Sequence, residues 1–266
     1  MRKVIINSFV LILAATGSVA QSPAGPRASA ANAFAPSDEP RFVLPGSSLP
    51  RMAPELALRM YQQRSAEQVQ KLAEYTDKTL VQAELPDTRQ KGEYELVRNY
   101  SAQPRQLSYQ SIKFTGDSFV KTNVITRILQ SEVDHVEKGD PSASAIDDKN
   151  YKFSYKGTEE LNGRQMHVFQ LKPRRKDPSL FKGKIFVDAQ TGTLRRAEGT
   201  VSKSPSFFVR KIEFVQDFDD INGFTMPVSM RSTAKARIIG TTIVNVFHRG
   251  YDLKPQNSAN ALVGSK

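Results

Sequence analysis

The sequence predicts an α+β domain. Its expected core is a single curved antiparallel β-sheet, with helices covering its apolar face. Three observations predict this. Most of the chain alternates apolar and polar residues with period two. Only two segments carry a helical period. The strand-like runs follow one another through short turns, as in a meander.

The first helix is expected over Pro54 to Ala73. Pro54 suits a first turn and Glu55 sits at the positive end of the helix dipole. Leu58, Tyr61, Ser65, Val69 and Leu72 then recur at three- and four-residue steps. The second runs from about Val120 to Val136, where Ile125, Leu129, Val133 and Val136 repeat, with Ile128 and Glu132 alongside. Gly139, Asp140 and Pro141 stop it.

Strands are expected near Thr79–Glu84, Gly92–Tyr100 and Leu107–Phe114. In Tyr151–Lys156 the aromatics share one face, and His167–Leu171 continues the pattern. Lys184–Asp188 and Leu194–Val201 flank Ala189-Gln190-Thr191-Gly192, a hairpin turn. Phe207–Phe218, a turn at Asp219–Gly223, Phe224–Met230 and Arg237–Phe247 complete the series. At least eight or nine strands result, apolar on one face and rich in Lys and Arg on the other.

The N-terminus reads as an export signal. Arg2 and Lys3 precede an apolar run of thirteen residues, Val4 to Thr16, and Ser18-Val19-Ala20 offers small residues for cleavage after Ala20. A helix that crosses a bilayer needs about 20 apolar residues. Residues 21–50 hold six of the fifteen prolines among Ala, Ser and Gly, which marks a disordered tether. The folded domain is expected over 51–253, with a frayed tail over 254–266.

Composition removes several classes of function. The chain of 266 residues has no Cys, so it has no disulfide framework and no thiolate chemistry. Its three His are isolated from one another, so no metal or other cofactor is expected. Adjacent acids at Asp147-Asp148, Glu159-Glu160 and Asp219-Asp220 lie in or beside turns, where neighbours point apart. No nucleophile elbow or phosphate loop occurs, and no catalytic residue is assigned.

A set of marks runs from Asn150 to Tyr251. It comprises Asn150-Tyr151-Lys152-Phe153, Leu161-Asn162-Gly163-Arg164, Lys172-Pro173-Arg174-Arg175-Lys176-Asp177 and Leu180 to Asp188. Glu198-Gly199 and Lys203 to Phe208 complete it. This block resembles the bacterial outer-membrane lipoprotein-sorting-like superfamily (LolA/LolB/RseB-like), in an uncharacterised branch. The resemblance implies that the sheet is highly curved, an incomplete and unclosed β-barrel (a half-barrel) with helices over its concave apolar mouth, and an apolar cavity that takes acyl chains in the characterised carriers. It implies a monomeric, non-catalytic periplasmic protein of the cell envelope that binds lipid or lipoprotein acyl chains. The alternative is an RseB-like sensor whose sheet docks a partner protein.

Two sets of site residues follow. Tyr151, Phe153, Tyr155, Phe169, Leu171, Ile212, Phe214, Phe224, Met226 and Val228 are expected on one face. They form either an ordinary core under the helices or the wall of a lipid cavity. From Arg164 to Lys211 there are twelve Lys or Arg against three acids. That surface serves either solubility or contact with anionic headgroups or an acidic partner, with Arg174, Arg175 and Lys176 as candidates. Arg210 shares parity with Phe208, Ile212 and Phe214, so it faces the cavity unless a bulge turns it to water. Nucleic acid is not expected as a partner, because no recognition motif is present.

Overall fold

The computed structural model describes residues 51–204, 209–237 and 240–256. The segments read as signal and tether, and the tail beyond Gln256, lie outside the described residues. One antiparallel sheet of ten strands dominates the fold. The strands are β1 (Leu72–Leu85), β2 (Gln90–Ala102), β3 (Arg105–Gly116), β4 (Tyr151–Leu161) and β5 (Arg164–Pro173). There follow β6 (Phe181–Asp188), β7 (Leu194–Val201), β8 (Val209–Ile221), β9 (Phe224–Ala236) and β10 (Gly240–Pro255). Their order is β3-β2-β1-β10-β9-β8-β7-β6-β5-β4, so two meanders meet where β1 pairs with β10, and β3 and β4 remain as edges. The sheet is therefore open. Bulges in five of its strand pairs bend it, since each adds local twist.

Two-residue turns set the register. Asn162-Gly163 joins β4 to β5 and Asn222-Gly223 joins β8 to β9, each with positive φ at both positions, the geometry that matches strand twist. The second turn is tighter than the five residues expected from sequence, because β8 continues to Ile221. Between β6 and β7 the expected turn forms, and the Asp188 carboxylate accepts from the backbone of Gln190 and Thr191. Gly192 in this turn has φ of 66°, and an added Cβ would stand 3.0 Å from Met60 Cβ, so the turn abuts the first helix.

That helix, α1, spans Pro54–Lys71. It ends two residues before the expected Ala73. Leu72 already has extended backbone, and β1 starts seven residues ahead of the expected Thr79. The early half of β1 pairs with the late half of β10, Tyr75 opposite Leu253 and Lys78 opposite Arg249. Each strand thus lengthens the other, which explains why β10 outruns the expected Phe247. Between β3 and β4 lies α2 (Ser118–Val120), a π-helical turn (Lys121–Ile125) and α3 (Thr126–Lys138) in unbroken succession.

The helices divide the sheet's inner face. Ala57 and Tyr61 of α1 bury against Tyr151, Phe169, Ile185 and Phe214. Val124, Ile125 and Leu129 bury against Val81, Leu96, Met230 and Val244. The inner stripe of α1 departs from expectation. Gln68 is buried, whereas Val69 is half exposed. The Gln68 amide donates to the Thr225 carbonyl at 3.2 Å and accepts from the Thr225 N–H at 3.0 Å, so a polar side chain holds an inward position as a strand would.

Candidate functional site

A cavity of about 150 Å³ opens between the C-terminal end of α1 and α3. Its walls are Val69 and Leu72 on one side and Ile128, Leu129 and Val136 on the other. Met226, Met230 and Val246 line its floor. An apolar cavity of this size is large enough to admit a ring the size of benzene. The two methionines give the floor adaptable, polarizable surface.

A buried polar network forms the remaining wall. Arg98 of β2 donates Nε to Asp77 Oδ2 at 2.7 Å and Nη1 to Glu132 Oε1 at 3.2 Å. Its Nη2 donates to the Tyr251 hydroxyl at 2.9 Å. The guanidinium lies 5.0 Å from the Tyr75 ring centre, and Tyr75 stacks on Tyr100. Tyr109 donates to the other Glu132 oxygen. Thr79 and His248 Nδ1 both donate to Asp77 Oδ1, at 2.7 and 3.2 Å.

The titrations follow from burial and this partnering. Burial pushes the Asp77 carboxyl up, but Arg98, His248 and Thr79 together hold it below the usual carboxylate range. Burial, reinforced by Arg98, holds His248 below the usual imidazole range, so its ring is neutral and donates through Nδ1–H. Burial pushes the Tyr75 and Tyr251 hydroxyls up. Arg98 therefore joins two carboxylates, and one of them, Glu132, belongs to α3. The contact fastens that helix to the sheet.

The expected cavity residues are placed apart. Tyr151, Phe169, Leu171 and Phe214 are buried together beneath α1, with Phe153 packed against them. Ile212 is half buried nearby on β8. Phe224 and Met226 belong to a different cluster with Leu72 and Tyr75, and of the ten only Met226 lines the cavity. Tyr155 keeps the expected common face, opposite Phe169 on the edge strand β4, and Val228 breaks it. Tyr155 is 43% exposed, and its hydroxyl lies 3.2 Å from His167 Nδ1. Val228 lines a separate surface pocket with Arg164 and Asp217. The register steps from Asp217↔Ser229 to Phe218↔Pro227, which leaves Val228 unpaired and ends the alternation that runs through Met226.

Arg174, Arg175 and Lys176 are all exposed. Arg174 donates to the backbone carbonyls of Asp148 and Tyr151, and Arg175 to Asn150 Oδ1 and the Ala143 carbonyl. Both staple the segment between α3 and β4 to the loop after β5. The side chain of Arg210 lies outside the described residues. Its strand carries a register shift between Val209 and Lys211, so the parity argument for that position stops there. Lys152 and Lys172 stand directly opposite each other on β4 and β5, both exposed.

Sequence reading missed Gln68, Arg98, Gln216 and His248 as wall residues, and Asp77 as their buried partner. The signal was present as polar residues in inward parity: Asp77 between Tyr75 and Thr79, Gln216 between Phe214 and Phe218, His248 after Val244 and Val246. Among the described residues no cluster of three His, Asp or Glu stands ready for a metal ion. No described helix is long and apolar enough to cross a membrane.

Residues 143–252 match a family of unknown function, DUF5686. No curated protein matches the chain. Among solved structures, a DUF1329 family protein from Desulfovibrio piger is 12% identical, with a TM-score of 0.39, over 76% of this chain and 91% of that one. A LolA superfamily protein from Nitrosomonas europaea is 10% identical, with a TM-score of 0.37, over 78% and 96%. A chain of the MucA/MucB complex of Pseudomonas aeruginosa is 13% identical, with a TM-score of 0.23, over 66% and 88%. At such identities these are likenesses of fold.

Proposed function

We propose that this chain is a non-catalytic binding protein of the bacterial periplasm. It takes the end of an acyl chain, from a lipid or a lipoprotein, into the cavity between α1 and α3. The observation that supports this reading is the cavity itself. It is apolar where Leu72, Leu129, Val136, Met226, Met230 and Val246 meet, and its lip carries the half-exposed Val69. Each methylene moved from water into such a site contributes roughly 0.8 kcal/mol.

A volume near 150 Å³ accepts a chain terminus rather than a whole chain. Deeper entry requires α1 and α3 to part. Two polar contacts govern that motion: Gln68 to Thr225 for α1, and Glu132 to Arg98 and Tyr109 for α3. Exposed lysines at 152, 172 and 176 add weak, reversible attraction to anionic headgroups, about 1 kcal/mol each near a membrane. The N-terminal apolar run supports export, with the mature chain starting at Gln21.

A second reading is a sensor that docks a partner protein. It draws on the free edges of β3 and β4 and on the filled core beneath α1. An extended partner segment would add to one edge through backbone hydrogen bonds.

Displacement of a fluorescent fatty acid tests the first reading. The wild-type protein is expected to take up the probe and release it to phospholipid. Met230→Trp, which fills the floor, is expected to weaken uptake at least tenfold. Absence of uptake by the wild type, or equal uptake by the variant, sinks the acyl-chain reading and leaves the docking one.

A further inference from the structure

Gln216 stands at the centre of the inner face of β8. It is 4% exposed and lines the cavity. Its sheet neighbours are Ala197 of β7 and Met230 of β9, and Phe214 and Phe218 flank it on its own strand. All four are apolar and buried. The Gln216 amide oxygen is enclosed and has no hydrogen-bond partner.

A buried amide in apolar surroundings is costly unless something pairs with it. The nearby polar groups of the wall do not serve. Thr79, Arg98 and His248 are committed to Asp77, and Glu132 to Arg98 and Tyr109. Gln68 is committed to Thr225. The enclosed, unpaired amide oxygen thus belongs to a residue of the cavity wall, and an occupant of that cavity is the partner left for its amide.

We propose that Gln216 is a specificity-determining residue that reads a hydroxyl on the bound acyl chain. The inference rests on the acyl-chain reading above and narrows its ligand to hydroxylated chains. A hydroxyl both donates and accepts, so it satisfies the Gln216 amide whichever way that amide is turned. It is also small enough to sit along a chain in a cavity of about 150 Å³. An amide or ester linkage lies at the head of a chain, at the cavity mouth, whereas Gln216 is enclosed.

Binding of decanoic acid is compared with two hydroxylated counterparts, one substituted beside the carboxyl end and one at the far end. Isothermal titration is run on the wild-type protein and on Gln216→Leu. One hydroxylated acid is expected to bind wild type about five- to tenfold tighter than the plain acid. Gln216→Leu is expected to lose that preference while still binding the plain acid. The variant is expected to fold at least as well as wild type, because it removes an unpaired buried amide; Gln216→Met serves as a second probe of the same kind. Equal binding of all three acids by wild type overturns the role of Gln216, and so does a preference that survives both substitutions. If the wild type binds none of the three, the acyl-chain reading fails first and this inference falls with it.

Discussion

Asp77 faces His248, a wall residue of the cavity, with Arg98 beside them, and the two titrations are shifted in the same direction. His248 is held below its ordinary value by burial and by Arg98. Below about pH 6.5 the unfolded chain takes up a proton there that the folded chain refuses. Stability therefore falls as pH drops through that window. Asp77 is held low by Arg98, His248 and Thr79 despite its burial, so its contribution is present above about pH 3.9 and is lost only as pH falls through its folded value. Thermal unfolding followed by circular dichroism is expected to show Tm falling between about pH 6.5 and 5. His248→Gln is expected to flatten that slope and keep the steeper loss at lower pH. An unchanged slope in the variant would remove His248 as its source.

At the scale of elements, α3 is fixed by more than its apolar stripe. Leu129 and Val136 bury as their spacing dictates, but Glu132 lies between them and is also buried. Its charge is matched by Arg98, whose side chain is almost fully enclosed. Breaking one partner of such a pair leaves an uncompensated buried charge and costs about 3–5 kcal/mol. Arg98→Met is expected to lower stability by that order in urea unfolding, and Asp77→Asn with Glu132→Gln in the same chain to recover much of it. A loss below about 1 kcal/mol would place the pair among exposed contacts of little worth. Element types were legible in the sequence because period two and period 3.6 separate cleanly here. The meander of strands, both helices and the hairpin at Asp188–Thr193 follow from that alone, while the unclosed sheet was implied by the family resemblance. Strand ends were not legible, since β1 and β10 owe their length to each other across the chain. Which inward residues line the cavity was not legible for a related reason. Parity shows which residues face inward, as it did for Tyr151 and Phe214, but not which of them a helix then covers. Val228 escaped because a bulge has no mark in the alternation that precedes it.

The whole molecule is held together where its two meanders join. The strand order makes β10 the bridge between β1 and β9, so the last strand connects the first three to the other six. A chain that stops before Gly240 lacks every hydrogen bond of that bridge. Such a truncation is expected to lose cooperative thermal unfolding altogether. A retained sharp transition would mean that one meander folds alone. The same seam bears on timing. The pairing of Tyr75 with Leu253 links residues near opposite ends of the domain. Contacts so distant along the chain form slowly, because the intervening loop must close before any bond is gained. For a chain read as exported, a ribosome or translocon that still holds the C-terminus withholds the strand that completes the sheet. The polypeptide then stays threadable until it is released, and its own topology postpones folding without the help of a disulfide.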